Sequence, residues 1–578
     1  MSSSLNVGAP VFRGPNFRVS KLRMVGAALV IVLGLLVLPP IWILLEGGLA
    51  HFDARGNFAY WTFEHYRKLL SSELFVLIWN SVIFSLGATV LSLALGGVLA
   101  WLVERTNTPF KGLAYLTTIL SLGTPYVLYV TAWLFLFGRA GPFNDLYRLL
   151  SGSTGTFFNM YSLGGMILIE GLLWSPLVFL LMASTFRAAN ADMEEAARMS
   201  GASVFDTLWR VTLPMAKPAI LALALFVFIR NIEAFEVPAL VGLPGHIRVL
   251  TTDIYLSIRA VPPDHGHASA FSTLLLVAVG ILLHYYGRLS RHAERFHSVT
   301  GKGYRPRPFD LGRWRWVGGA IVVFNFVLIL IMPLFALLWL SLQRFVRPIT
   351  IEGFQSMTTK NFEVVLSSPY YLKLAANTFI AAAGAAILVV LLSLCAAWFA
   401  ARRKPFGGLI DQLITMPLIF PGVVLGVAVL QISLRVPFPL YGTLWLLTLA
   451  FTIRYLPYGM RYAYAGTLQI HKELEEAASV AGASGWDVMR RILAPLLSPA
   501  LLSAGLFVFL LGAKELSMAI LLASPSSQTM AVAMFDMWTN GQGGELAALG
   551  LVWAAAMSLV ATLSFYIGRR RGGDPYGQ

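Results

Sequence analysis

Eight ionisable side chains fall inside stretches that are otherwise long and apolar: Glu170, Arg230, Glu233, Glu236, Arg454, Arg461, Lys514 and Glu515. On insertion scales a charged group in a spanning helix costs roughly 2.5–3.5 kcal/mol, so each needs a reason to be there. Arg230, Glu233 and Glu236 recur every third residue, and Arg454 and Arg461 lie two helical turns apart on one face. Two kinds of chemistry are open to these groups. They can pair with one another and orient a helix bundle. Alternatively Arg230, Glu233, Lys514, Glu515 and Arg454 line a cavity as a charged path for a hydrophilic solute. Glu170 falls toward the external end of its segment. His265 and His267 lack a carboxylate constellation and read as solvated loop residues rather than metal ligands. Methionine and aromatic side chains within the runs read as packing. No loop carries a paired acid and base, an activated nucleophile or metal-ligand spacing, which argues against an enzyme.

The elements that must hold such charges are membrane helices. The chain has 578 residues, of which 57% are hydrophobic and only 12% charged, whereas soluble domains are about a quarter charged. A spanning helix needs about 20 mostly apolar residues. Segments 24–45, 75–103, 113–137, 163–186, 216–240 and 268–287 qualify, followed by 317–341, 374–401, 409–434, 441–465, 498–523 and 546–568. The expectation is an all-α polytopic membrane protein with about twelve transmembrane helices, six in each half. The first run follows Arg13, Arg18, Lys21 and Arg23 in the manner of a signal peptide. Its length, Pro39-Pro40 and lack of a small-residue cleavage site favour a retained helix. Pro176 and Pro457 are expected to kink their helices. Cys395, the single cysteine, can form no intramolecular disulfide.

Two halves are also what a repeat implies. Residues 194–219, EEAARMSGASVFDTLWRVTLPMAKPA, return at 475–500 as EEAASVAGASGWDVMRRILAPLLSPA, identical at 12 of 26 positions without a gap. Pro176 matches Pro457, Asn80 matches Asn377, Pro109-Phe110 matches Pro405-Phe406, and Pro125 matches Pro421. The halves differ where charge is concentrated, with Leu173 opposite Arg454 and Leu511 opposite Arg230, an asymmetry suited to a substrate without twofold symmetry. The first half also carries GRAGPFNDLYRLLSGSTGTF, which reads as a mobile external loop.

The net charge of +15 is concentrated in short loops, where it sets topology rather than binding nucleic acid. The N-terminal segment, the connection 288–315 with eight basic residues against Glu294 and Asp310, and the tail with Arg569, Arg570 and Arg571 are expected in the cytoplasm. Residues 342–373, with four basic residues and two acids, argue weakly the other way. The domain reading is a cytoplasmic segment 1–23, a first repeat 24–294, a linker 295–315 that acts as a tether, a second repeat 316–568 and a cytoplasmic tail 569–578. Both copies of the repeated loop, 192–218 and 473–499, then face the cytoplasm.

Locally, each loop reads as a short helix with an acidic first turn, stopped by Gly201 or Gly482. A second helical stretch, Val204–Val211 or Trp486–Ile492, runs to the prolines that start the next membrane helix, Pro214 and Pro218 or Pro495 and Pro499. Such a unit offers an exposed acidic edge and a small-residue face. Glu195-Ala196-Ala197, Gly201, Val211 and Leu213-Pro214, with Glu476-Ala477-Ala478, Gly482, Ile492 and Pro495, resemble the EAA loop of ABC importer permeases. Ala494 stands where that pattern has leucine. FEVPALVG at 235–242, RYLP at 454–457 and AKELSMAILL at 513–522 are similar to the fused permeases of ferric iron importers.

The resemblance implies the type I ABC importer permease fold. It implies that Glu194, Glu195, Ala196, Ala197, Gly201 and Pro214, and Glu475, Glu476, Ala477, Ala478, Gly482 and Pro495, form the ATPase-coupling sites. It further implies two copies of a cytoplasmic nucleotide-binding subunit, an extracytoplasmic solute-binding protein, a bacterial inner-membrane location and alternating access. The chain has no G-x-x-x-x-G-K-[ST] loop, so it is expected to bind no cofactor, with ATP and Mg held by the partner ATPase. Iron is the expected substrate. Related fused permeases carry phosphonate, sugar phosphate, thiamine or polyamine. An ion-coupled secondary transporter, the competing class, can also show six plus six helices but needs no repeated cytoplasmic loop.

Overall fold

In a computed structural model the chain is described over residues 17–52, 58–70, 72–139, 141–188, 191–294, 308–347 and 349–571. Most of the expected segment 1–23, linker residues 295–307 and tail residues 572–578 lie outside these. The architecture is helical, with a two-stranded antiparallel hairpin of Ala50–Phe52 and Phe58–Trp61. Among the described residues nine helices are long and apolar enough to cross a membrane, or up to eleven if each of two bent pairs is one span. The expected segment 441–465 is a 26-residue helix, Leu444–Gln469. It is not among the nine, and it carries Arg454, Arg461 and four tyrosines.

The two bent pairs correct the straight segments expected at 113–137 and 409–434. Lys111–Ser121 meets Tyr126–Leu136 at 113°, and Gly407–Ile419 meets Gly422–Arg435 at 106°. Pro125 and Pro421 stand at the two breaks. A proline forces the residue before it out of the helical region, and Thr124 and Phe420 are accordingly extended, with ψ of 123° and 113°.

The fifth segments, expected as continuous runs at 216–240 and 498–523, are also interrupted. Leu213–Ile232 stops before Glu233 and resumes as a wide turn at Pro238–Gly242, while Ala494–Ala513 stops before Lys514 and resumes at Ala519–Leu522. Unwound backbone inside an apolar bundle needs substitute partners. Thr251 donates to the Ala234 carbonyl at 2.7 Å, and the Glu515 carboxylate accepts from the Met518 N–H at 3.3 Å.

Within each half the second and fourth long helices cross closely enough that several small residues lie at the contact, Gly87, Gly96 and Gly171 in the first and Gly384 and Gly459 in the second. A Cβ on Gly96 would lie 2.7 Å from Val178 Cγ1 and from the Ser175 carbonyl oxygen; one on Gly459 would lie 2.3 Å from Val389 and 2.7 Å from Ser393 Oγ. Gly96 and Ser393 occupy matching places in the repeats, as do Val178 and Gly459. Gly87 and Gly384 also match, so both crossings keep small residues at the contact while the individual close pairs differ, as close backbone approach requires.

The first helix of each half packs across the boundary between halves. Phe17–Leu49 lies against the second half's Gly407–Thr415 and Gly422–Arg435, and the helices from Arg315 to Ser341 lie against Lys111–Gly123 and Tyr126–Leu136. At residue level Gly26 sits on Phe399, Pro405 and Phe406, and Gly319 sits on Pro109 and Phe110. Gln431 donates to Ser269 Oγ at 2.7 Å and Arg435 pairs with Glu46 at 2.6 Å across the same boundary.

The segment expected to be a mobile external loop contains a ten-residue helix, Pro142–Ser151. Pro142 opens it at a position where a missing N–H costs nothing. The buried Asn144 pins it, donating to the Phe137 and Gly138 carbonyls at 2.8 Å and accepting from the Phe157 N–H at 2.8 Å.

Candidate functional site

Glu236 and Ser517 occupy the same position in the two repeats, and they touch: Ser517 Oγ donates to Glu236 Oε1 at 3.2 Å. Because the first helix of each half packs on the equivalent bent pair of the other, the halves exchange places as in a twofold relation, and equivalent residues that touch lie beside its axis. A cavity of about 70 Å3 lies there. Seven of the eight intramembrane ionisable residues line it, namely Glu170, Arg230, Glu233, Glu236, Arg454, Lys514 and Glu515. Arg461 does not. It shares a helix face with Arg454, but seven residues displace it by about 10 Å along the axis, and its side chain is exposed.

Each charge in the cavity has a partner, which is what low-dielectric surroundings demand. Arg230 pairs with Glu233 at 2.7 Å, and Arg454 with Glu515 at 3.6 Å. Arg454 also donates to the Phe420 carbonyl at 2.9 Å, the acceptor freed by the break at Pro421. Tyr455 donates to the Glu515 carboxylate, Trp174 donates to Glu170 at 2.9 Å, and Lys514 lies 4.5 Å from the centre of the Tyr126 ring. Glu233 Oε1 is fully buried and has no hydrogen-bond partner among the described residues. Tyr126, Trp174, Tyr455 and Tyr458 therefore line the cavity rather than merely pack. Their adjacency to Pro125, Leu173, Arg454 and Pro457 was the signal available in the sequence.

A second, wider cavity of about 500 Å3 is lined by Arg259, His265, Tyr441, Gln528 and Asp536, with Ile520 and Leu521 contributed by the short helix Ala519–Leu522 that follows Ser517. His267 is not free in solvent as expected; its Nε2 lies 3.1 Å from the Asp253 carboxylate.

In the repeated loops the short helices are Ala191–Met199 and Lys472–Val480. Both end in the same way. Gly201, at φ +85°, and Gly482, at φ +91°, turn left-handed, and the following N–H groups reach back to Ala197 and Ala478 at 3.0 and 2.9 Å. Ser203 and Ser484 then cap the next helix through the N–H groups of Asp206 and Asp487. The second stretches are not separate helices. Val204–Thr207 and Gly485–Val488 run through wide π turns, Leu208–Thr212 and Met489–Leu493, directly into the membrane helices. A widened turn accommodates Pro214 and Pro495, each of which lacks an N–H and crowds the carbonyl four residues earlier.

The acidic edge is only partly exposed. Glu194, 5% exposed, lies 3.6 Å from Arg105 and accepts from Thr212 at 2.7 Å. Its counterpart Glu475 accepts from Arg402 at 2.7 Å and from Trp398 at 2.9 Å. Arg105 and Arg402 close the same helix in the two repeats. The first glutamate of each loop thus turns inward and fixes the loop to the bundle, while Glu476, Ala477 and Ala196 remain exposed and Glu195, Ala197 and Ala478 are half-buried.

What the loops show instead is apolar. Met193 and Leu474 are 57% and 49% exposed, Met199 and Val480 91% and 89%, Phe205 and Trp486 69% each. These are three pairs of matching positions. Sequence reading passed over them because the apolar type is kept while the identity changes.

The family described as binding-protein-dependent transport system inner membrane component matches the chain twice, at residues 92–289 and 390–571. A Haemophilus influenzae protein that bears the name of a ferric transport system permease is 27% identical over 453 residues, spanning 76% of this chain and 68% of its own. The ferric transport system permease of Actinobacillus pleuropneumoniae is 25% identical over 526 residues, 87% of this chain and 72% of its own. A Salmonella typhimurium protein named for 2-aminoethylphosphonate transport is 26% identical over 262 residues, 45% of this chain and 96% of its own.

Proposed function

The chain belongs to the family of binding-protein-dependent transport system inner membrane components, and from that premise we propose that it imports ferric iron, driven by two copies of a nucleotide-binding subunit seated on its repeated loops. It is a fused two-repeat ABC importer permease of the bacterial inner membrane, a transport subunit rather than an enzyme. ATP and Mg belong to the partner subunit. An extracytoplasmic solute-binding protein delivers the cargo, and both loops and both termini face the cytoplasm, in keeping with the Lys and Arg excess of those segments.

The observation that carries the docking reading is the matched exposure of Met193, Met199 and Phe205 with Leu474, Val480 and Trp486. Large apolar side chains exposed at equivalent places in two loops fit two copies of one partner surface. The mechanical route is short. Each loop continues without a break into a 20-residue helix, Leu213–Ile232 or Ala494–Ala513, about 30 Å of stiff rod that ends at the axis cavity. Closure of the two ATPase subunits draws the loops together and rocks the halves about that axis, opening the cavity to one side and then the other.

Iron is supported by the relatives whose likeness spans both repeats. The cavity is lined by four carboxylates and three phenols, a polar path of oxygen donors; among the described residues no three acidic, His or Cys side chains are grouped to hold a metal ion, so the cargo would pass rather than be chelated there. Arg230, Arg454 and Lys514 keep such an ion from being held too tightly to leave. A small organophosphonate is the second reading; it draws on the half-length relative and on the same three cations.

Two measurements test these statements. Met199→Asp with Val480→Asp is expected to weaken capture of the ATPase subunit by about tenfold or more, as for a buried apolar anchor, while the chain still inserts in the membrane. Unchanged capture overturns the docking surface. In proteoliposomes holding the permease, its ATPase and its binding protein, radiolabelled ferric iron is expected to accumulate and to stimulate ATP hydrolysis. Stimulation by 2-aminoethylphosphonate without iron uptake overturns the substrate assignment.

A further inference from the structure

The end of the linker is docked rather than slack. The Phe309 N–H donates to the Arg105 carbonyl at 2.7 Å and the Asn107 N–H donates to the Phe309 carbonyl at 3.0 Å, a parallel bridge one residue wide. Asn107 also donates to the Asp310 carboxylate at 2.6 Å and accepts from the Leu311 N–H at 3.1 Å. The Gly312 N–H and the Asn107 amide together hold the Asp310 carboxyl below its ordinary range. Phe309 is buried, and the Arg198 guanidinium, on the short helix of the first repeated loop, lies 5.3 Å from the centre of its ring. One aromatic residue thus joins the linker, the elbow that follows Arg105, and the loop.

The second loop is held differently. Glu475 takes direct hydrogen bonds from both Trp398 and Arg402 at the end of the preceding long helix, whereas Glu194 takes its hydrogen bond from Thr212, within its own loop, and lies 3.6 Å from Arg105, and the matching Trp101 Nε1 has no partner among the described residues. Ser479 stands where the first loop has Arg198. Among the described residues no strand sits on the second elbow, where Lys404 instead covers the Trp398 ring at 3.8 Å.

We infer that Phe309–Leu311 is a brace that positions the first repeated loop, doing for that loop what the Trp398 and Arg402 hydrogen bonds do for the second. The connection between the repeats is then part of the drive, and the two ATPase seats are tuned by different contacts. The link to ATP hydrolysis rests on the docking reading above; the brace itself does not.

The test is amide hydrogen exchange on the full-length chain in nanodiscs, comparing residues 192–202 with residues 473–483. Phe309→Ala is expected to speed exchange in the first loop by about tenfold and leave the second unchanged, with Phe309→Tyr restoring protection. Arg198→Gln, an exposed substitution that leaves the bridge intact, is expected to act in the same direction with smaller size. Equal acceleration in both loops, or none in the first, overturns the brace. With cysteine placed at Met199 or Val480, Phe309→Ala is expected to reduce cross-linking to the ATPase at the first position alone. Absence of cross-linking from both positions in the otherwise unaltered chain overturns the docking reading, while the exchange result still decides the brace.

Discussion

Arg454→Leu is expected to destabilise the protein by about 3–5 kcal/mol, the range for stranding one member of a buried ion pair, and to abolish uptake. The substitution leaves Glu515 with Tyr455 but without its ion-pair partner, and it leaves the Phe420 carbonyl without its donor at the break before Pro421. Leucine is not too large or the wrong shape for such a helix, since Leu173 occupies the matching position in the first half. The cost is electrostatic. The double variant Arg454→Leu with Glu515→Leu removes both charges and is expected to recover most of the lost stability, because buried pairs replaced by apolar residues are often neutral. Uptake is expected to stay lost in the double variant. Thermal unfolding in detergent together with uptake in proteoliposomes separates the two roles, and recovery of uptake along with stability would sink the translocation-path assignment and leave the charges a purely structural part.

The second large effect is at the loop glycines. Gly201→Val with Gly482→Val is expected to abolish capture of the ATPase and uptake while the chain still enters the membrane. A Cβ at either position would meet nothing within 4 Å, so space is not the constraint. The constraint is the left-handed backbone, at about 1–2 kcal/mol per residue for a side chain that resists it, at a junction that aims Met199 and Phe205, or Val480 and Trp486, outward. Asparagine tolerates that conformation, so Gly201→Asn with Gly482→Asn is expected to retain most capture. Equal loss with asparagine and valine would mean that the glycines are needed for contact with the partner and not for the turn.

The local features were legible because their causes are local. The stopping glycines and the acidic first turns act within a few residues, so the short helix of each repeated loop could be drawn from its letters, while the serine caps and the unbroken run into the next membrane helix came from the structure. The breaks at Pro125 and Pro421 were half legible. The prolines were visible as a matched pair, but whether a proline kinks a helix, as Pro176 and Pro457 were expected to do, or folds it back by 106° depends on whether neighbours supply donors to the freed carbonyls. Arg454 supplies one at Phe420. The fifth-helix interruptions were missed for the same reason, since their stability depends on Thr251 and on the carboxylate of Glu515.

Eight charges could be picked out by cost alone, and that cost did not say that seven of them would meet and Arg461 would not. Glu236 and Ser517 are 281 positions apart in sequence and in contact in space, and only the packing of two halves about an axis brings them together. The same holds for the inward turn of Glu194 and Glu475, for the first helices that lie on the opposite half, and for Phe309 beneath Arg198. The sequence by itself determined the duplication, the membrane setting, the glycine stops of the loops and the family, each a property of composition, of residues within a turn or two of one another, or of a motif repeated along the chain. The tertiary structure decided the axis, the cavity and the exchange of helices, because those depend on which surfaces become neighbours when segments hundreds of residues apart compete to bury the same apolar and charged groups.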